Sequence, residues 1–321
     1  MRAWQSLLVG LLIVCGAAWA QPYPDKSRPI KVISTAGPGS AGDAVARAVA
    51  RGITEVSGLN AVVENKPGAE GVIAVQALKG SAPDGYTLLV ASSSVTVLNP
   101  HMQANLPYDP ATDFVPLAAV GGNALAMSAG STTTFKTARE FIAAARAAPG
   151  RYTFGSGTAT TRLAGELLQR LAGIELVSVP YKSVAASGAA IAGGQVDVVF
   201  TDIATAQPQY DAGRARPLAV TGAKRMSALP NVPTMREEGV ADYDIFGWYG
   251  TYFPAKTPPA IAATMREIIR KAAKTRQMAE MMHTFAMDAM DVAGDDLAAL
   301  QRAESEKWGK LIRTANLAPL K

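Results

Sequence analysis

The sequence predicts an α/β protein of two domains, each a mainly parallel sheet flanked by helices. Three observations predict it. The chain has 321 residues, 49% of them hydrophobic, enough for about two typical domains whose cores need neither disulfides nor metals. Short apolar strands alternate with amphipathic helices over the first hundred residues, the pattern of a doubly wound sheet. The same alternation restarts near Thr137.

Residues 1–20 stand apart from that pattern. Arg2 supplies a positive charge, Leu7 to Val14 is an almost unbroken apolar run, and Ala18 and Ala20 offer small residues at a cleavage site. This reads as a secretory signal peptide, because the apolar run is too short to span a bilayer comfortably. Cys15, the one cysteine, lies inside it, so the mature chain is expected in the periplasm without thiol chemistry.

After an extended leader, Ile30 to Ser34 reads as a buried strand and Ala36 to Gly42 as a Gly/Ser loop. Asp43 opens a helical pattern to Ser57, with Val45 and Val49 on one face and Arg47 and Arg51 opposite. Asn60 to Glu64 is a strand, Val72 to Lys79 a helix, and Pro83-Asp84-Gly85 a turn before the strand Thr87 to Ala91. In the second unit Thr137 and Glu140 form a capping box ahead of a helix that ends at Pro149-Gly150. Strand Tyr152–Phe154, a loop of small residues and helix Thr161–Ala172 follow, then three further strands and two helices to Thr221. Ile245 to Phe253 is an aromatic-rich strand. Thr257-Pro258 and Gly294-Asp295 introduce C-terminal helices expected to return over one unit.

Both units thus contain a strand, a loop of small residues and a helix: Lys31 to Val49, and Tyr152 to Leu168. Such loops let backbone N–H groups approach a ligand, and the first helical turn leaves its own N–H groups unpaired with partial positive charge. Either loop merely turns strand into helix, or the two face each other across a cleft as an anion seat without lysine. Gly37, Gly39 and Gly42 also spell a dinucleotide fingerprint, with Glu64 about twenty residues on, and an exported NAD-dependent oxidoreductase is the alternative reading. Asp43 argues against it, since it would place a negative charge near a pyrophosphate. A phosphate-binding Walker loop fails because neither Gly loop is followed by Lys-Ser or Lys-Thr.

Other chemistry is poorly supported. His101 and His283 are the only histidines and lie far apart, so no metal site is expected. Asp197 with Asp202, and Asp295 with Asp296, read as caps rather than catalytic dyads. No enzyme activity and no cofactor is expected. The net charge of +5 is spread along the chain with no basic run, which disfavours nucleic acid.

Several motifs together resemble a known family. They include Glu64-Asn65-Lys66-Pro67-Gly68-Ala69, Ala82-Pro83-Asp84-Gly85-Tyr86-Thr87-Leu88-Leu89, Tyr108-Asp109-Pro110, Leu163-Ala164-Gly165-Glu166-Leu167, Val179-Pro180-Tyr181-Lys182 and Leu229-Pro230-Asn231-Val232-Pro233-Thr234. In order and spacing the chain resembles the substrate-binding proteins of tripartite tricarboxylate transporters, the Bug family. The resemblance implies a Venus-flytrap architecture, with residues 27–122 plus 246–321 as one domain and 123–245 as the other. It implies a monomer closing on a small organic carboxylate, usually a dicarboxylate, which it delivers to integral-membrane transporter subunits or to a sensor kinase ectodomain. Ligand contacts are implied from Ala36, Gly37, Pro38, Gly39 and Ser40, from Ser156, Gly157, Thr158 and Thr160, and from strand ends at Ser92, Ser93, Thr201 and Asp202. Asp43 is read as ordering the first loop.

The chain departs from the family pattern in places. Ser40 stands where a second glycine is common, and Ala36 replaces a bulky residue, which favours a large or aromatic diacid. The second loop looks short. Arg162 replaces a histidine and either adds a fork-shaped donor for a carboxylate or points to solvent. Phe246, Trp248, Tyr249 and Tyr252 either line the far side of the cleft or form core near the hinge.

Overall fold

The computed structural model describes residues 23–181 and 183–314, so the signal peptide expected over residues 1–20 lies outside the described residues. The strands are β1 (Ile30–Ser34), β2 (Ala61–Asn65), β3 (Thr87–Ser92), β4 (Phe114–Gly130), β5 (Thr153–Ser156), β6 (Val177–Pro180), β7 (Val198–Asp202), β8 (Ala215–Val220), β9 (Phe246–Pro254) and β10 (Asp288–Ala289). The helices are α1 (Ala41–Ser57), α2 (Val72–Lys79), α3 (Asn99–Met102), α4 (Ala138–Ala147), α5 (Ala159–Ala172), α6 (Val184–Ala192), α7 (Ile203–Asp211), α8 (Pro259–Ala272), α9 (Arg276–Thr284) and α10 (Asp295–Thr314).

Most strands that alternate with helices pair in parallel, as their spacing predicts, whereas β8, which follows α7, pairs antiparallel with β4. In the first lobe the order is β2-β1-β3, and in the second β6-β5-β7. Antiparallel pairing also marks the strands that join the lobes. β4 pairs along its first half with β9, from Phe114↔Pro254 to Ala124↔Phe246. From Leu125 onward it pairs instead with β7 and β8. One strand therefore belongs to both halves of the sheet, and the chain returns to the first lobe along β9.

Apolar faces follow the helical and strand periods. Val45, Val49 and Ile53 of α1 are buried with Ile30, Val32 and Leu88 of the sheet and Met265 and Ile269 of α8, while Arg47 and Arg51 stay exposed. In the second lobe Phe154, Leu168 and Phe200 pack together, and the buried Tyr243 hydroxyl donates to the Ala164 carbonyl at 2.7 Å. Burial of these side chains is the main favourable term holding each lobe.

Local details differ from expectation. Ser40, not Asp43, precedes α1 as its N-cap, its Oγ accepting the Asp43 amide. Glu140 reaches back to the Lys136 amide rather than to that of Thr137, so the cap is one-sided. At α8 the N-cap is Pro258 and the helix starts at Pro259, one residue later than expected. β4 itself has no counterpart in the sequence reading, because Pro116, Gly121, Gly122 and Asn123 resemble turn residues. Pro116 and Gly121 fall at two register shifts against β9. A Cβ on Gly122 would be driven into the Gly247 carbonyl and the Phe246 ring, so close backbone approach requires the glycine.

Candidate functional site

Loops at the carboxyl ends of parallel strands are where open α/β sheets bind ligands. Here the loops after β1, β3 and β5 converge on a cavity of about 450 Å³. The first lobe contributes Thr35, Ala36, Ser92 and Ser94, and the second contributes Thr158 and Thr160. Tyr249 of β9 closes one side. Gly68 to Gly71 with Val95, Leu98, Asn99 and Met102 complete the lining.

The first loop is tied down by its own side chains. Ser40 Oγ donates to the Gly37 carbonyl at 2.7 Å and accepts the Asp43 amide. The buried Asp43 carboxylate accepts from the Gly39 amide at 3.0 Å, Arg47 Nε at 2.9 Å and Asn65 Nδ2 at 2.8 Å. Asn65 Nδ2 also reaches the Ala36 carbonyl at 2.9 Å. Burial opposes ionisation of Asp43, but the Arg47 guanidinium, Asn65 and the Gly39 amide outweigh it and hold the carboxyl below its usual value. These bonds consume amides that the sequence reading leaves free. Ala36 N–H goes to Ser34 Oγ, Gly39 to Asp43 and Ser40 to Gly37. Among the described residues the amides of Gly37, Ala41 and Gly42 carry no such bond, but none of the three lines the cavity; a Cβ on Gly42 would meet Ala36 and Tyr249.

The second loop spends its amides similarly. Gly157 and Thr158 N–H both donate to Thr161 Oγ1 at 3.0 Å, and the Thr161 amide returns to Thr158 Oγ1. This reciprocal cap fixes the start of α5 and presents Thr158 and Thr160 to the cavity.

Of the residues expected at the site, the structure gathers Ala36, Ser92, Thr158 and Thr160 around one cavity. Gly37 lies against Pro67, Pro38 is exposed, and Gly39 and Ser40 line a separate outer hollow between α1 and α9. Ser93 Oγ accepts the Trp248 amide, and buried Ser156 is backed by the Tyr181 amide on its carbonyl. Asp202 caps α7 through the Thr205 amide and hydroxyl, with Thr201 buried beside it. Arg162 is half-exposed and stands 3.8 Å from Glu166.

The aromatic strand divides by parity. Tyr249 faces the cavity, whereas Phe246 and Trp248 face a hollow of about 550 Å³ on the other side of β9, and Tyr252 is fully buried. The four therefore do not share one wall. Burial pushes the Tyr249 phenol pKa up and the negative Asp202 adds to it, so the hydroxyl keeps its proton.

The Gly68–Gly71 wall is not anticipated by the sequence reading. All four residues have left-handed φ values of 119°, 46°, 52° and 90°, two of them at non-glycine residues. Asn99 Nδ2 holds this turn through the Glu70 carbonyl at 2.9 Å and also donates to Tyr108 Oη. Burial raises the Tyr108 pKa to about 12, so its hydroxyl remains a donor to the Val95 carbonyl. Residues held in such conformations concentrate at ligand clamps. Pro67-Gly68-Ala69, within the motif that begins at Glu64, is the sequence signal nearest to this turn.

Among the described residues lining the cavity there is no Lys or Arg. An anion placed there meets hydroxyls and backbone rather than a cationic side chain. The arrangement suits a dinucleotide poorly, since the Gly39 amide is spent on Asp43 and Glu64 is paired with Lys31 and Lys66. Among the described residues no group of acidic, histidine or cysteine side chains could hold a metal ion, and no helix is long and apolar enough to cross a membrane.

Comparison with known proteins identifies the fold and the family. A UPF0065 protein of Bordetella bronchiseptica is 32% identical over 303 residues, covering 94% of this chain and 90% of the relative. A structure described as R. palustris Rpa4515 with adipate is 27% identical, with a TM-score of 0.78, covering 93% of this chain and 100% of that one. The periplasmic binding protein BugD is 26% identical, with a TM-score of 0.73 and coverage of 92% and 99%. The fold is accordingly the two-domain periplasmic-binding-protein architecture. Residues 45–317 match the family described as tripartite tricarboxylate transporter family receptor, and the chain belongs to that family.

Proposed function

We propose that this protein is a periplasmic receptor that captures a small organic carboxylate, in particular a dicarboxylate, and delivers it unchanged to membrane transporter subunits. The observation that carries the reading is one cavity lined from both lobes by hydroxyls and helix starts, with no cationic side chain in its described lining. A carboxylate there gains contacts from Ala36, Ser92 and Ser94 on one side and from Thr158 and Thr160 on the other. Each lobe offers half a site, so the ligand favours the state in which the halves meet.

We propose residues 27–122 with 246–321 as one moving body and 123–245 as the other. The partner switch of β4 after Ala124 and the return at Phe246 support those bounds. The adipate bound by Rpa4515 supports the ligand class, and the leader read at residues 1–20 supports the compartment. The protein acts as a non-catalytic monomer in this scheme.

Thermal melting against succinate, adipate, citrate and NAD tests it. A ligand present at about 100 times its Kd should stabilise the protein by about 2.7 kcal/mol. Stabilisation by NAD alone would overturn the reading.

A further inference from the structure

Resting on the carboxylate-receptor reading, the same cavity also describes the body of its ligand. The chain leaves β3 at Ser92 and enters a π-helical turn, Ser94–Leu98, that continues into α3. Ser92 and Ser94 line the polar end of the cavity, and Val95, Leu98 and Met102 line it further along. Counted at the α-helical rise of about 1.5 Å per residue, an upper figure for the wider and flatter π turn, Val95 to Met102 makes an apolar shelf of up to roughly 10 Å. That is the reach of several methylene groups or of an aromatic ring.

The shelf is poor in polar partners. Its three side chains donate and accept nothing, and Asn99 between them spends both described bonds on Glu70 and Tyr108. A hydroxyl laid on it would lose water without a replacement partner. Glu70, the one charged residue of the lining, meets the shelf through its backbone carbonyl, which accepts from Asn99 Nδ2, and no cationic side chain stands at this end among the described residues. We infer that the site takes a carboxylate carrying an extended apolar body, seated on Val95, Leu98 and Met102, in preference to a short or hydroxylated diacid.

Calorimetric titration with succinate, malate, adipate and suberate tests this on the unmodified protein. Each added methylene should tighten binding by up to about fourfold, so adipate should exceed succinate by roughly tenfold or more. Malate should bind more weakly than succinate. Met102→Ala should reduce the gain in affinity from adipate to suberate. Its fold is checked by melting without ligand, and the wild-type series decides the question if that variant does not fold. Succinate or malate binding as tightly as adipate and suberate overturns the shelf but leaves the receptor reading standing. No response to any of the four or to citrate overturns the receptor reading.

Discussion

Gly157 lies directly against Ser183, so closely that a Cβ on Gly157 would be driven into the Ser183 carbonyl group. The contact locks the second ligand loop onto the start of α6, while the Gly157 amide is held by Thr161 Oγ1. Gly157→Ala should therefore displace Thr158 and Thr160 from the cavity. Overpacking of this kind costs roughly 1–3 kcal/mol. We expect a lower melting temperature and a still larger loss of stabilisation by adipate. An intact adipate response would show that the loop does not need this contact.

Asp43 organises the first loop as an ionised acceptor. Asp43→Asn should destabilise the ligand-free protein by about 1–3 kcal/mol at pH 7, because a charged acceptor of three donors is replaced by an amide. The folded carboxyl is held below its ordinary value, so its contribution is fully present above about pH 3.9 and is lost as pH falls through the folded value. Melting curves of wild type and variant should converge in acid. A gap that widens there would contradict the assignment.

Asn99 is the tether of the left-handed turn Gly68–Gly71. Asn99→Ala leaves the Glu70 carbonyl without its donor, at a cost of roughly 1–3 kcal/mol. Ala69 and Glu70 are held in conformations costing on the order of 1–3 kcal/mol each, so the turn should relax first. Hydrogen exchange should report faster amides at residues 69–71 than in the wild type, with α1 unchanged.

Ala36 touches the cavity where Gly42 and Tyr249 also meet. Ala36→Phe should fill that corner and weaken adipate or suberate more than succinate, measured by calorimetry. Equal losses across the series would remove residue 36 as a determinant of ligand size.

Residues with local causes are legible in the sequence, and those with distant causes are not. Val72–Lys79 reads with its final bounds because apolar spacing and flanking turns agree within that stretch. The two Gly/Ser/Thr loops are recognisable for the same reason. Their amide bookkeeping is hidden, since Asn65 approaches Asp43 and Ala36 from another strand. β4 is hidden because Gly122 makes sense only once Phe246 and Gly247 lie beside it. Asn99 likewise gains its meaning from Glu70, 29 residues away.

The sharing of β4 between both half-sheets bears on how the protein can be made. The first lobe is begun by β1 but lacks β9, which lies between β3 and β4, until residues 246–254 exist. During synthesis its native assembly must therefore wait for the last quarter of the polypeptide. Any truncation before Phe246 leaves β3 and β4 with bare hydrogen-bonding edges, the sort of surface that recruits neighbouring chains into aggregates.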